Sequence, residues 1–148
     1  MRLVIQRVAS ARVEIGGEIA ADIGRGLLAF VGFRAEDEQK DIDRLADKLC
    51  KLRVFEDENG KMNLSAADVG GALLLVPNFT LYADTAAGNR PSFAAAAPAA
   101  AASEMFSDFV NAVRTRFGGT VECGVFQADM MVSLVNDGPV TLLAESAR

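Results

Sequence analysis

Apolar and polar residues alternate along the opening of the chain. Residues 2–8 and 11–15 follow the period of two that a half-buried strand shows, and Gly16-Gly17 supplies a hairpin turn into Glu18–Ile23. Gly24-Arg25-Gly26 interrupts the pattern. Leu27–Phe33 is continuously apolar, as suits a central strand covered on both faces. Over residues 37–52 the period becomes helical. Ile42, Leu45, Ala46, Leu49 and Leu52 share one face, Asp37, Glu38 and Asp41 sit at the start, and Lys48 and Lys51 sit near the end, as the helix dipole prefers. Arg53–Phe55 reads as a short strand, and Asp57-Glu58-Asn59-Gly60 as a turn.

Leu73–Val76 is a second buried strand, running into Pro77-Asn78-Phe79-Thr80-Leu81-Tyr82. Residues 83–97 read as a long loop with Gly88-Asn89-Arg90-Pro91 at its middle; loops of this length in compact domains are often functional. After an Ala-rich stretch, either Pro98 opens a helix or Ser103 caps it. Met105, Phe106, Phe109, Val110 and Val113 form its apolar face, and Gly118-Gly119 ends it. Strands are expected near 120–127, 130–136 and 140–145. No internal repeat, linker or second domain interrupts residues 1–148. The order strands, helix, strands, helix, strands predicts a single α/β (α+β) domain with a mostly antiparallel or mixed sheet and two main helices.

Composition narrows the chemistry. The chain has 148 residues, 51% hydrophobic and 24% charged, the balance of an ordinary globular domain. No apolar run approaches the ~20 residues of a membrane span, and Met1–Arg7 turns charged too soon for a secretory segment; a cytoplasmic location and no membrane partner are expected. Cys50 and Cys123 match no C-x-x-C pattern and read as small buried hydrophobes. There are 0 histidines. This excludes Ser-His-Asp and Cys-His catalysis within the chain and removes the commonest zinc ligand. Chemistry must come from hydroxyls, carboxylates, backbone groups or the substrate, and no metal or cofactor is expected. The net charge of −5 argues against a general nucleic-acid binder. The basic residues nevertheless concentrate in the first 61 positions, as either a local phosphate-binding patch or the wet face of a helix. The acidic clusters Glu36-Asp37-Glu38 and Glu56-Asp57-Glu58 lack metal-site spacing and read as surface. Gly24-Arg25-Gly26 and Gly70-Gly71 match no nucleotide-binding fingerprint.

Three segments carry candidate chemistry. Pro77-Asn78-Phe79-Thr80-Leu81 brings an amide, an aromatic ring and a hydroxyl to the edge of the sheet. Thr80 is a nucleophile or donor, or simply a β-branched strand residue; Phe79 is a ligand platform or core. Asn136-Asp137-Gly138-Pro139-Val140-Thr141 is either a turn between two strands or a rigid backbone probe. Gly lets a ligand approach the main chain, and Pro fixes it. In Gly88–Phe93, Arg90 can clamp a phosphate or carboxylate, or pair with a neighbouring acid.

Taken together these segments resemble the D-aminoacyl-tRNA deacylase family over nearly the full length. The matching pieces are Met1–Val8, Phe79–Asp84 with Gly88–Phe93, Ala128-Asp129-Met130, and Ser133–Thr141. The resemblance implies a partly closed barrel, an obligate homodimer with active sites at its interface, and a cis Gly138-Pro139 bond reaching into the partner's pocket. It implies hydrolysis of the ester between a D-amino acid and the terminal adenosine of tRNA, with glycine also accepted and L side chains excluded by clash. Phe79 and Thr80 take the catalytic roles. Asn78, Phe126, Met130, Gly138 and Pro139 bind the substrate and gate chirality. Lys48, Lys51, Arg53 and Arg90 are the expected tRNA contacts. Two mechanisms are open: attack by Thr80, or water activated by the substrate's own 2′-OH with backbone N–H groups near Phe79 and Thr80 holding the oxyanion. The second is favoured, since nothing supplies a base for Thr80. The family motif begins Ser-Gln before Phe-Thr-Leu, where this chain has Pro77-Asn78. A sister branch with Pro at that position is more relaxed about chirality. The alternatives are therefore a relaxed deacylase, a non-catalytic module for tRNA 3′ ends, or a structural dimer with a repurposed cleft.

Overall fold

The computed structural model describes residues 1–146. In chain order the elements are β1 (Arg2–Ile15), β2 (Glu18–Ile23), β3 (Gly26–Gly32), α1 (Gln39–Lys51), β4 (Arg53–Glu56), β5 (Met62–Ser65) and β6 (Ala72–Pro77). A 3-10 turn (Phe79–Tyr82), α2 (Ala99–Arg116), β7 (Val121–Cys123) and β8 (Met131–Glu145) follow. The main sheet runs β2-β1-β3-β6-β7, with β8 also paired to β1; β4 and β5 form a separate hairpin. Pairs β1–β2, β1–β3 and β1–β8 are antiparallel, while β3–β6 and β6–β7 are parallel. Parallel neighbours need crossovers, and the two helices lie in them. The result is a mixed sheet curled into a nearly closed barrel with two helices on one face.

The continuous apolar runs follow from burial on both faces. In β3, Leu27, Ala29 and Val31 face the helices, while Leu28 faces the other core; in β6, Leu73 and Leu75 face the helices and Leu74 and Val76 the other side. The long β1 serves both cores in turn. Leu3 and Ile5 pack under the helices, a register shift follows between Val8 and Ser10, and Ala11 and Val13 then point to the opposite core. Gly26 sits where a Cβ would lie 1.9 Å from the Ala72 carbonyl oxygen, so the parallel β3–β6 pair closes only around glycine.

Helix α1 is capped at Glu38 by a capping box to Asp41 and starts at Gln39, two residues inside the span the periodicity predicts. Asp37 lies ahead of it and is buried, not a surface acid: it pairs with the Met1 amine and, at 3.5 Å, with Arg34. Pro98 is the N-cap of α2 rather than its first residue. Near the end of the chain β7 is only three residues long, and residues 131–145 form one strand instead of two. Cys50 is buried and Cys123 is partly so. No helix among the described residues is long and apolar enough to cross a membrane.

Candidate active site

Strands β3, β6 and β7 share one direction, so their C-terminal ends open on one side of the barrel. There the chain leaves β6 at Pro77, turns through Phe79–Tyr82 and enters the long loop. A cleft of about 720 Å³ lies between this turn, the start of α2 and residues 126–130, with Phe30 and Val76 reaching it from the sheet. Four expected residues, Asn78, Phe79, Phe126 and Met130, line it together. Ala97 is tied to the residue just after β3 by its N–H to the Phe33 carbonyl at 2.9 Å, which brings the Ala-rich segment over the cleft. Alanines there form a wall of low relief, and Ala99 and Ala102 contribute.

The Phe79 segment is a 3-10 turn, not a strand edge. Asn78 caps it: its Oδ1 accepts the Thr80 hydroxyl at 2.5 Å and the Thr80 N–H at 3.3 Å. This arrangement has two chemical consequences. The Thr80 proton points at an amide oxygen, which is no base. The Phe79 N–H meets no acceptor among the described residues, as expected for the first amide of a turn. Phe79 itself is 55% exposed, with its ring against Phe93 at 5.1 Å between centroids. It is neither core nor strand. Among the described residues no group of His, Cys, Asp or Glu could hold a metal ion.

Gly138-Pro139 lies elsewhere. The peptide is cis. Residue Gln6 pairs with Thr141 and Val8 with Asn136, so two steps on β1 oppose five on β8, and residues between bulge outward. Asn136 closes the bulge: its Oδ1 accepts the Val140 N–H at 2.8 Å, and its Nδ2 donates to the Val140 carbonyl and Thr141 Oγ1, both at 3.1 Å. Arg7, 7% exposed, holds it from below, with Nε on the Asp137 carbonyl at 2.9 Å and Nη1 on the Val54 carbonyl at 2.7 Å. The sequence reading missed this part of Arg7. Its signal was present: Leu3, Ile5 and Arg7 share one face of the alternation, and a charge at an inward position needs partners. Val8 pairs with Gly26, at the N-terminal end of β3, while the cleft begins at Phe30, near the C-terminal end of that strand. Four strand steps separate them, roughly 13 Å. The bulge therefore sits at the opposite end of the barrel from the cleft of its own chain.

The four basic residues are also divided. Arg90 is on the cleft-side loop and exposed. Lys48 and Lys51 lie near the far end of α1, and Arg53 opens β4 beyond it. Lys51 pairs with Asp47 at 2.7 Å, and Arg53 holds Asn63 through its carbonyl and side chain. These three stand at the end of the molecule away from the cleft.

A histidine-free cleft at the mouth of a mixed, nearly closed barrel, edged by an unsatisfied amide, belongs to a recognisable class of small hydrolases. The chain is a member of the D-Tyr-tRNA(Tyr) deacylase family, a family of aminoacyl-tRNA hydrolases, whose model matches residues 4–145. It is 52% identical over 148 residues to a D-aminoacyl-tRNA deacylase of Chlorobaculum tepidum and 50% identical to one of Thermosipho africanus, covering 100% of this chain and 99% of each relative. A solved c-Myc DNA unwinding element binding protein superposes with TM-score 0.95 at 39% identity over the whole of both chains. A probable eukaryotic D-amino acid tRNA deacylase shares the fold at TM-score 0.82 and 14% identity, covering 98% of both chains.

Proposed function

We propose that this chain hydrolyses the ester of D-aminoacyl-tRNA, and of glycyl-tRNA mischarged on tRNA-Ala, releasing amino acid and tRNA for chiral proofreading in the cytoplasm. Membership of the family supports the ester chemistry. The observation that carries the mechanism is the unpaired Phe79 N–H at the lip of an apolar cleft. A preorganised amide there can hold the oxyanion of an attacked carbonyl, where charge develops. The Asn78–Thr80 hydrogen bond favours water assisted by the substrate 2′-OH over attack by Thr80. Its N–H also faces Asn78, so the oxyanion role falls chiefly to Phe79.

The reading requires a second copy of the chain. Gly138-Pro139 lies roughly 13 Å from its own cleft by strand register, at the other end of β3, and on this reading it reaches the cleft of a partner. Strand β8 supports self-association: it pairs with β1 alone among the described strands and leaves Met131 73% and Leu143 61% exposed along its length. The carbonyls of the partner's Gly138-Pro139 then stand against the substituents on the substrate Cα, together with Phe126 and Met130. An L side chain clashes, a D side chain points away, and glycine has nothing to exclude. Comparing D-Tyr-tRNA with Gly-tRNA as substrates tests the activity: both are cleaved if the reading holds.

A second reading, binding of nucleic acid without turnover, draws on Pro77-Asn78 and on the solved relative named for DNA binding. Binding of D-Tyr-tRNA with no ester cleavage favours it.

A further inference from the structure

We propose that Arg90 and Phe93 form a subsite for the unpaired nucleotides that precede the terminal adenosine of the tRNA 3′ end. The inference rests on the reading that the cleft holds the aminoacyl ester. The loop that follows the 3-10 turn is closed on itself where Asp84 and Ser92 exchange backbone hydrogen bonds of 2.7 and 2.9 Å. Phe93 follows that closure directly. It lines the cleft and is still 38% exposed. Its ring meets Phe79 at an interplanar angle of 67°. An edge-to-face pair leaves ring faces open, and an open ring face at a cleft mouth is what an unstacked base covers.

Arg90 lies two residues before the closure. Among the described residues it makes no hydrogen bond, ion pair or ring contact, whereas Arg2, Arg7, Arg12 and Arg116 are all held by carboxylates or carbonyls. The acid nearest in sequence, Asp84, already accepts the Ala86 N–H at 2.9 Å. A free guanidinium three residues along the same loop from an open aromatic face offers the pairing by which single strands are gripped, the cation on phosphate and the ring on a base. A duplex offers no free base faces, so the occupant is the single-stranded end rather than the stem. The net charge of −5 makes a local cation on the loop that carries Phe93 matter more for a polyanion. Nucleotides continuing from an ester seated in the cleft must also leave by this mouth.

The test compares kcat/KM for D-Tyr-tRNA with that for 3′-O-(D-tyrosyl)adenosine, which lacks the preceding nucleotides. Arg90→Ala and Phe93→Ala each lower the ratio about tenfold, the effect of one lost stack or phosphate contact. Phe93→Tyr and Arg90→Lys restore most of it. For Arg90→Ala the salt dependence of the tRNA reaction also falls by about one unit of slope. An unchanged ratio in both alanine variants, with the wild type active on both substrates, overturns the subsite and leaves the ester reading standing. A wild type inert on both substrates overturns the ester reading and the subsite with it.

Discussion

Asn78 governs what Thr80 can do. With its proton held by an amide oxygen, the Thr80 hydroxyl has no base to activate it. Thr80→Ala is therefore expected to lower kcat on D-Tyr-tRNA by less than about tenfold, whereas loss of a true nucleophile costs orders of magnitude; single-turnover kinetics distinguish the two. Gly138 has φ +147, and a Cβ there would lie 2.8 Å from the Val140 backbone nitrogen. Backbone cannot yield as a side chain can. Gly138→Ala displaces the bulge, and D-Tyr-tRNA cleavage in that variant should fall at least tenfold if the Gly138-Pro139 carbonyls are in the site. Burial pushes the Cys50 thiol up to about 11. At pH 7.5 it should resist iodoacetamide until the protein unfolds, which peptide mass spectrometry reads directly. Phe79, Asn78 and the glycine-proline pair were legible as residue types in order. The hydrogen bond from Thr80 to Asn78 was not, because it depends on a turn that Pro77 ends a strand to make.

At the level of elements, the alternation of β1 and the double-faced burial of β3 and β6 were readable from period alone. The misreadings came from residues whose local preference is overruled by long-range bonds. Asn136-Asp137-Gly138-Pro139 has the composition of a turn between strands, yet Asn136 and Arg7 hold it as a bulge within a single strand, β8. Residues 120–127 are apolar enough for a full strand, but only Val121–Cys123 find a partner in β6. Gly26 looked like punctuation and is a packing requirement. Gly26→Ala should destabilise the fold by about 3 kcal/mol or more, since its Cβ would meet the Ala72 carbonyl within β3–β6; urea unfolding against wild type measures it.

For the whole molecule, the strand register sets the argument. Parallel β3, β6 and β7 put the cleft at one end, and antiparallel β1 and β8 carry Gly138-Pro139 to the other. A sequence can show that both segments exist, but only the topology shows that one chain keeps them apart. Sedimentation should therefore find a species of twice the 15.7 kDa chain mass; a monomer that retains full activity would contradict the shared site. The most direct measurement is side-by-side deacylation of D-Tyr-tRNA, L-Tyr-tRNA and Gly-tRNA under one set of conditions. Rapid release from the D and glycyl substrates, with the L substrate left intact, is the predicted result. Cleavage of L-Tyr-tRNA as fast as D-Tyr-tRNA would contradict the account of Gly138-Pro139 as a chirality gate.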